Sequence, residues 1–176
     1  MLQDAGCKYV LVGHSDRRTA GETDHAVYVG VRTVLEAGMS PVLCCGEGAE
    51  HRQFGTVREL LTLQLLTALK DVSAEELRRV VIAYEPRWAV ETENAVSPLQ
   101  AQQVCGLIRA LLRKQYGARV ARKVVLLYGG SMDAENAVQF LAQPDVDGCL
   151  IDSLSLEPEQ FISVLSAFAQ AEHCEK

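Results

Sequence analysis

Apolar positions along the chain fall into short unbroken runs separated by longer amphipathic stretches. The runs are YVLVG at 9–13, PVLCC at 41–45, VVIAY at 80–84, VVLLY at 124–128 and GCLI at 148–151. Runs of this length that do not alternate with polar residues predict strands of a parallel sheet covered on both faces. The stretches between them carry helix signals. Ser97-Pro98-Leu99-Gln100 combines a capping box with proline at the first helical position and predicts a helix running to about Tyr116. Ser73-Ala74-Glu75-Glu76 is a second capping box, suited to a short helix before the third strand. Leu60, Leu61, Leu63, Leu65, Leu66 and Leu69 give one helix a broad apolar face. Gly38 suits the left-handed cap of a helix ending near Ala37, and a last helix is predicted over 158–169.

Strand and helix thus alternate five times, with no internal linker or low-complexity tract. This predicts an α/β fold with parallel strands and right-handed crossovers, organised as a single domain over 1–176. Periodicity alone does not separate a barrel from a doubly wound sheet. No G-x-G-x-x-G follows any strand, which argues against a dinucleotide site. A complete eight-stranded barrel takes about 250 residues, so five strands are too few to close one.

Composition narrows the function classes. The net charge is −6 and no Lys/Arg run forms a stripe, so nucleic acid and anionic membrane are not expected as partners. No stretch approaches the roughly 20 apolar residues of a membrane span. The opening MLQDAGCKYV lacks the basic and apolar regions of a signal peptide. The six cysteines match no zinc spacing, and Cys44-Cys45 is not a C-x-x-C pair. They read as reduced thiols of a cytoplasmic protein, with no metal expected.

In parallel α/β folds, chemistry gathers at the C-terminal ends of strands. Those ends carry His14-Ser15-Asp16-Arg17-Arg18, Gly46-Glu47, Glu85-Pro86-Arg87-Trp88, Gly129-Gly130-Ser131 and Asp152-Ser153. His14 and Glu85 form a candidate electrophile and base for proton abstraction beside a carbonyl. Gly129-Gly130-Ser131 offers backbone N–H groups of the kind that cradle phosphate. Taken one at a time, each also has a plainer reading. His14 suits a structural hydrogen bond, Glu85 a solvated loop, the Gly-Gly-Ser stretch a simple turn, and Asp16-Arg17-Arg18 a surface ion-pair cluster.

Taken together, the motifs resemble the triosephosphate isomerase family. VLVGHSDRR at 10–18, CCGE at 44–47, AYEPRWA at 83–89, YGGS at 128–131 and PDVDG at 144–148 look like that family's signatures, in its order and spacing. The resemblance covers essentially the whole chain and implies a partial TIM (β/α)8 barrel of about five β/α units, strands 4 to 8, with the first three absent. It implies interconversion of dihydroxyacetone phosphate and glyceraldehyde 3-phosphate without cofactor or metal. His14 resembles the neutral histidine that polarises the carbonyl, and Glu85 resembles the base; paired tuning of this kind is the family's well-known chemistry. Pro86-Arg87-Trp88 resembles the hinge of a lid that excludes water. Gly129, Gly130 and Ser131 match a phosphate-gripping turn. The family is also a cytoplasmic homodimer, although its interdigitating interface loop has no counterpart here.

Several positions depart from the family pattern. The strand-one Asn-x-Lys motif, with its phosphate-facing lysine, has no match. Met1-Leu2-Gln3-Asp4-Ala5-Gly6 resembles a stretch inside the helix before strand 4, so Met1 reads as an internal methionine of a longer ancestor. Asp16 stands where the family usually has glutamate. Glu91 and Glu93 stand in a lid tip that is glycine-rich in the family, and Asp152-Ser153 replaces a Gly-Gly pair. A carboxylate about 4 Å from one phosphate charge costs on the order of 4 kcal/mol at an effective dielectric of 20. These departures predict weak or no activity for this chain alone. The alternative is a non-catalytic paralogue working through protein–protein contacts.

Overall fold

The computed structural model describes residues 1–90 and 96–174. Five strands, β1 (Tyr9–Val12), β2 (Ser40–Cys45), β3 (Val81–Tyr84), β4 (Val125–Tyr128) and β5 (Gly148–Cys149), form one parallel sheet in the order β1-β2-β3-β4-β5. Each strand pairs with its sequence neighbours, and the order shows none of the reversal that defines a doubly wound sheet. The strands lie on the apolar runs. β1 stops before Gly13, whose φ of +78° turns the chain out of extended geometry, and β5 is shorter than its run.

The helices are α1 (Ser15–Thr19), α2 (Asp24–Glu36), α3 (Ala49–Gln53), α4 (Val57–Ala68), α5 (Arg87–Val90), α6 (Pro98–Tyr116), α7 (Ala118–Ala121), α8 (Ala137–Leu141) and α9 (Pro158–Cys174). The box at Ser97 forms as expected. Ser97 Oγ accepts from the Gln100 N–H at 3.2 Å, and Gln100 Oε1 accepts from the Ser97 N–H at 2.9 Å. The box at Ser73 also closes, but it caps a 3-10 turn, Glu76–Arg79, because β3 begins two residues later. α9 runs beyond the predicted end at 169.

The two faces of the sheet are covered unequally. On one face Val12, Leu43, Ile82, Tyr84, Leu126 and Tyr128 join buried residues of α2, α4, α6, α8 and α9 in one large core. The other face holds a small cluster of Val42, Cys44 and Ala83, flanked by half-buried Val81, Leu127 and Leu150. At its margins Tyr9 (64%), Leu11 (51%) and Val125 (41%) are exposed. Burial on this second face therefore decays from the centre of the sheet toward its edges.

Candidate functional site

His14 leaves β1 through Gly13 and N-caps α1. Its Nδ1 accepts from the Asp16 N–H at 3.4 Å. With Nδ1 as acceptor, a neutral imidazole carries its proton on Nε2. That nitrogen faces two carboxylates, Glu85 Oε1 at 3.5 Å and Asp152 Oδ2 at 3.9 Å.

Glu85 follows β3, and its backbone extends the ladder by donating to the Cys45 carbonyl at 2.8 Å. The side chain is buried at 3% exposure. Oε2 accepts from the Ser15 N–H at 2.9 Å, whereas Oε1 has no hydrogen-bond partner among the described residues. Burial pushes the carboxyl above the usual carboxylate range; His14 and the Ser15 N–H pull the other way without cancelling it. Beneath it, burial and the Glu85 charge push the Cys44 thiol up, so Cys44 stays neutral.

Two glycines let the neighbouring backbones approach Glu85. A Cβ on Gly46 would lie 1.7 Å from the Glu85 carbonyl oxygen, and one on Gly129 would lie 3.0 Å from Glu85 Cγ. The Gly129 N–H donates to the Tyr84 carbonyl at 2.8 Å, holding the turn after β4 beside β3. His14, Glu85, Gly129, Gly130, Ser131, Asp152 and Ser153 together line one cleft of about 320 Å³. Glu91 and Glu93 lie outside the described residues. Among the described residues no group of three or more His, Cys, Asp or Glu is placed to hold a metal ion. None of the described helices is long and apolar enough to cross a membrane.

Comparison with known proteins decides the family. The family model described as triosephosphate isomerase matches residues 1–168. The chain belongs to the triosephosphate isomerase family. The triosephosphate isomerases of Nocardia farcinica and Saccharopolyspora erythraea are each 46% identical to it over 170 residues, covering 96% of this chain and 65% of the relative. That of Carboxydothermus hydrogenoformans is 42% identical over 166 residues, covering 94% of this chain and 66% of the relative. The chain thus spans about 65% of the length of the curated relatives it matches.

In this triosephosphate isomerase family member, two polar hubs beside the cleft were not legible in the sequence. Glu47 is fully buried, and its Oε1 accepts from Arg52 Nε at 2.9 Å, Tyr84 OH at 3.0 Å and Trp88 Nε1 at 2.9 Å. The Arg52 guanidinium also lies 4.5 Å over the Trp88 ring, so α3 and α5 are joined through one carboxylate and one cation. The second hub corrects an expectation. Arg18 is not part of a solvated surface cluster, since its side chain is only 8% exposed. Nε donates to the Gly13 carbonyl at 2.8 Å, NH1 pairs with Asp24 at 2.7 Å, and NH2 reaches the Cys44 carbonyl at 3.4 Å. Arg18 thereby fastens the end of β1 to the end of β2. The sequence signal for both hubs was faint: a charged residue directly after a strand-end glycine, or one turn into the helix that follows.

Proposed function

We propose that the chain performs the proton-transfer chemistry of its family, the aldose–ketose interconversion of dihydroxyacetone phosphate and glyceraldehyde 3-phosphate, with His14 as electrophile and Glu85 as base. One observation carries this reading: a buried, unpartnered carboxylate oxygen stands 3.5 Å from the imidazole nitrogen that bears the proton in the neutral ring. Glu85 Oε1 removes a proton from the carbon beside the substrate carbonyl. The His14 Nε2–H donates to the carbonyl oxygen as it gains charge, the hydroxyl proton passes to that oxygen by way of the same nitrogen, and Glu85 returns the carbon-bound proton to the neighbouring carbon. No electron donor or cofactor enters the balance.

Gly129, Gly130, Ser131 and Ser153 form the wall that would receive the phosphate, and Asp152 works against it. The chain alone is therefore a weak catalyst on the phosphorylated substrate, or an inactive one. In this reading it is a single domain whose β1 to β5 are strands 4 to 8 of a barrel. The sequential strand order, the one-sided helix layer and the greater length of the relatives support that assignment. A cytoplasmic homodimer is the corresponding expectation for the assembled protein.

A second reading, a non-catalytic relative that works through protein contacts, is favoured by Asp152 Oδ2 lying 3.9 Å from the same His14 nitrogen. Deuterium incorporation at the hydroxymethyl carbon of dihydroxyacetone phosphate in D₂O, followed by proton NMR, separates the two. Slow incorporation by the purified chain, reduced at least ~100-fold by Glu85→Gln, supports proton transfer. Incorporation equal to that of the variant supports the second reading.

A further inference from the structure

We propose that the chain carries a second ligand site, for a small anion bearing one phosphate group, in a cavity lined by Arg109, Arg113, Arg122, Asp145 and Asp147. The site lies at the opposite end of the sheet from His14 and Glu85 and does not depend on the proton-transfer reading of that pair.

Charge is the first argument. The chain has a net charge of −6, yet Arg109, Arg113, Lys114, Arg119, Arg122 and Lys123 all fall within 109–123, and no aspartate or glutamate stands between Glu93 and Asp133. Folding draws three of these cations together. Arg109 and Arg113 are one turn apart on the same face of α6, and Arg122 ends α7, which follows α6 directly after Gly117. They line one cavity of about 410 Å³ with Asp145 and Asp147. Arg109 NH1 donates to the carbonyl of Val124, the residue before β4, and Asp147 is the residue before β5. The cavity therefore opens where these strands begin, whereas the His14 and Glu85 cleft opens where strands end. The length of β4 sets the two sites about 16 Å apart.

The state of each polar group is the second argument. Arg109 is buried, and four of its five N–H groups are engaged, by the carbonyls of Ala121 and Val124 and by Asp145 and Asp147. The two carboxylates are held in turn by Gln102 Nε2 and by the Leu126 N–H, each at 2.8 Å. Arg113 and Arg122 differ from all of these. Both are exposed at the rim, and neither makes a hydrogen bond or an ion pair among the described residues. Two open guanidinium forks with a third, buried guanidinium behind them suit the planar, bidentate grip on a phosphate group. Three guanidiniums against two carboxylates leave a small positive excess, which matches one phosphate group and not a polyphosphate or a nucleic acid strand.

Amide NMR shifts of the purified 176-residue chain, followed through a titration with sodium phosphate while sodium chloride keeps the ionic strength constant, test the proposal. Amides of 109–123 and 144–148 should shift saturably. Arg113→Gln combined with Arg122→Gln should weaken the affinity read from them at least ~10-fold. Arg113→Lys combined with Arg122→Lys keeps the charge without the fork and should lose less. Amides near Gly129 and Gly130 report the cleft separately, and any phosphate affinity read there should be the same in all three proteins. Tm without phosphate checks the fold of each variant. Shifts at 109–123 that do not saturate, that sodium chloride alone reproduces, or that keep their affinity in the glutamine variant overturn the inference. A lower Tm with unchanged phosphate affinity would confine Arg113 to the negative end of the α6 dipole and overturns it as well.

Discussion

Ser15 and Glu85 stand 70 residues apart in sequence and meet in the cleft, where the Ser15 N–H donates to Glu85 Oε2 at 2.9 Å. This single bond occupies one carboxylate oxygen and leaves the other aimed at His14. It also ties the loop after β1 to the Glu85 side chain at the end of β3, and so holds the carboxylate in place relative to His14. Preorganisation of this kind is what a proton transfer between fixed atoms requires.

The protonation of Glu85 makes stability depend on pH. Its folded-state pKa lies above the ordinary value of 4.5, so the folded chain holds this proton to higher pH than the unfolded chain does. The contribution is fully present below the unfolded value and is lost as pH rises through the folded one. Urea unfolding followed from about pH 4 to about pH 8 should therefore show a decline in stability that is reduced in Glu85→Gln. An equal decline in both proteins would assign it to other groups.

Arg109 of α6 is a buried cation whose three guanidinium nitrogens are all engaged. NH1 reaches the carbonyls of Ala121 at 2.8 Å and Val124 at 2.6 Å, NH2 pairs with Asp147 at 2.8 Å, and Nε faces Asp145 at 3.3 Å. Arg109→Ala removes the cation from two carbonyls and from two carboxylates that keep Gln102 and the Leu126 N–H as partners, and should destabilise the chain by about 2–3 kcal/mol in urea, less than a fully buried pair. Arg109→Lys should recover only part of this, because an ammonium group cannot serve the same fork of acceptors.

The Glu47 hub has a spectroscopic reporter, since Trp88 is the only tryptophan in the chain. Removing the Arg52 guanidinium takes a cation from the indole face and leaves Glu47 with Tyr84 and Trp88 alone. Arg52→Ala should shift the tryptophan emission and lower stability by about 2–3 kcal/mol, less than a fully buried pair because the Arg52 side chain is 27% exposed. An unchanged emission spectrum would show that the guanidinium does not sit over the ring in solution.

These hubs also mark where the sequence stopped being readable. The capping box at Ser97 was legible because both of its bonds join residues three apart. That His14 and Glu85 would come together in one cleft was legible because each sits directly after an apolar run, at the end of the sheet where parallel folds gather their strand-end residues. Arg18 and Glu47 were not, since the partners that give them their role across the sheet, Cys44 for Arg18 and Tyr84 and Trp88 for Glu47, lie 26 to 41 residues away and become neighbours only once the strand register is fixed. The uneven covering of the two sheet faces was hidden for the same reason. A continuous apolar run such as VVLLY does not say which of its residues faces the helices and which is left at an open margin.

Tyr128 offers the sharpest check of the packing beside the cleft. Its ring is fully buried and stacks on Phe140 with centroids 4.2 Å apart, yet its hydroxyl has no hydrogen-bond partner among the described residues. Leaving a buried hydroxyl unpaired costs about 1–3 kcal/mol, so Tyr128→Phe should be neutral or stabilise the chain by about 1 kcal/mol. The same hydroxyl explains the glycine above it. A Cβ on Gly130 would lie 2.2 Å from the Tyr128 oxygen, 2.5 Å from Cζ and 3.1 Å from Cε2. Gly130→Ala should therefore be strongly destabilising in the native sequence, by about 3 kcal/mol. Removing the oxygen relieves the shortest contact but not those with the ring, so the penalty in the Tyr128→Phe background should shrink without vanishing. A double-mutant cycle in urea should show a coupling of about 1 kcal/mol, and additivity within about 0.3 kcal/mol would place the hydroxyl elsewhere.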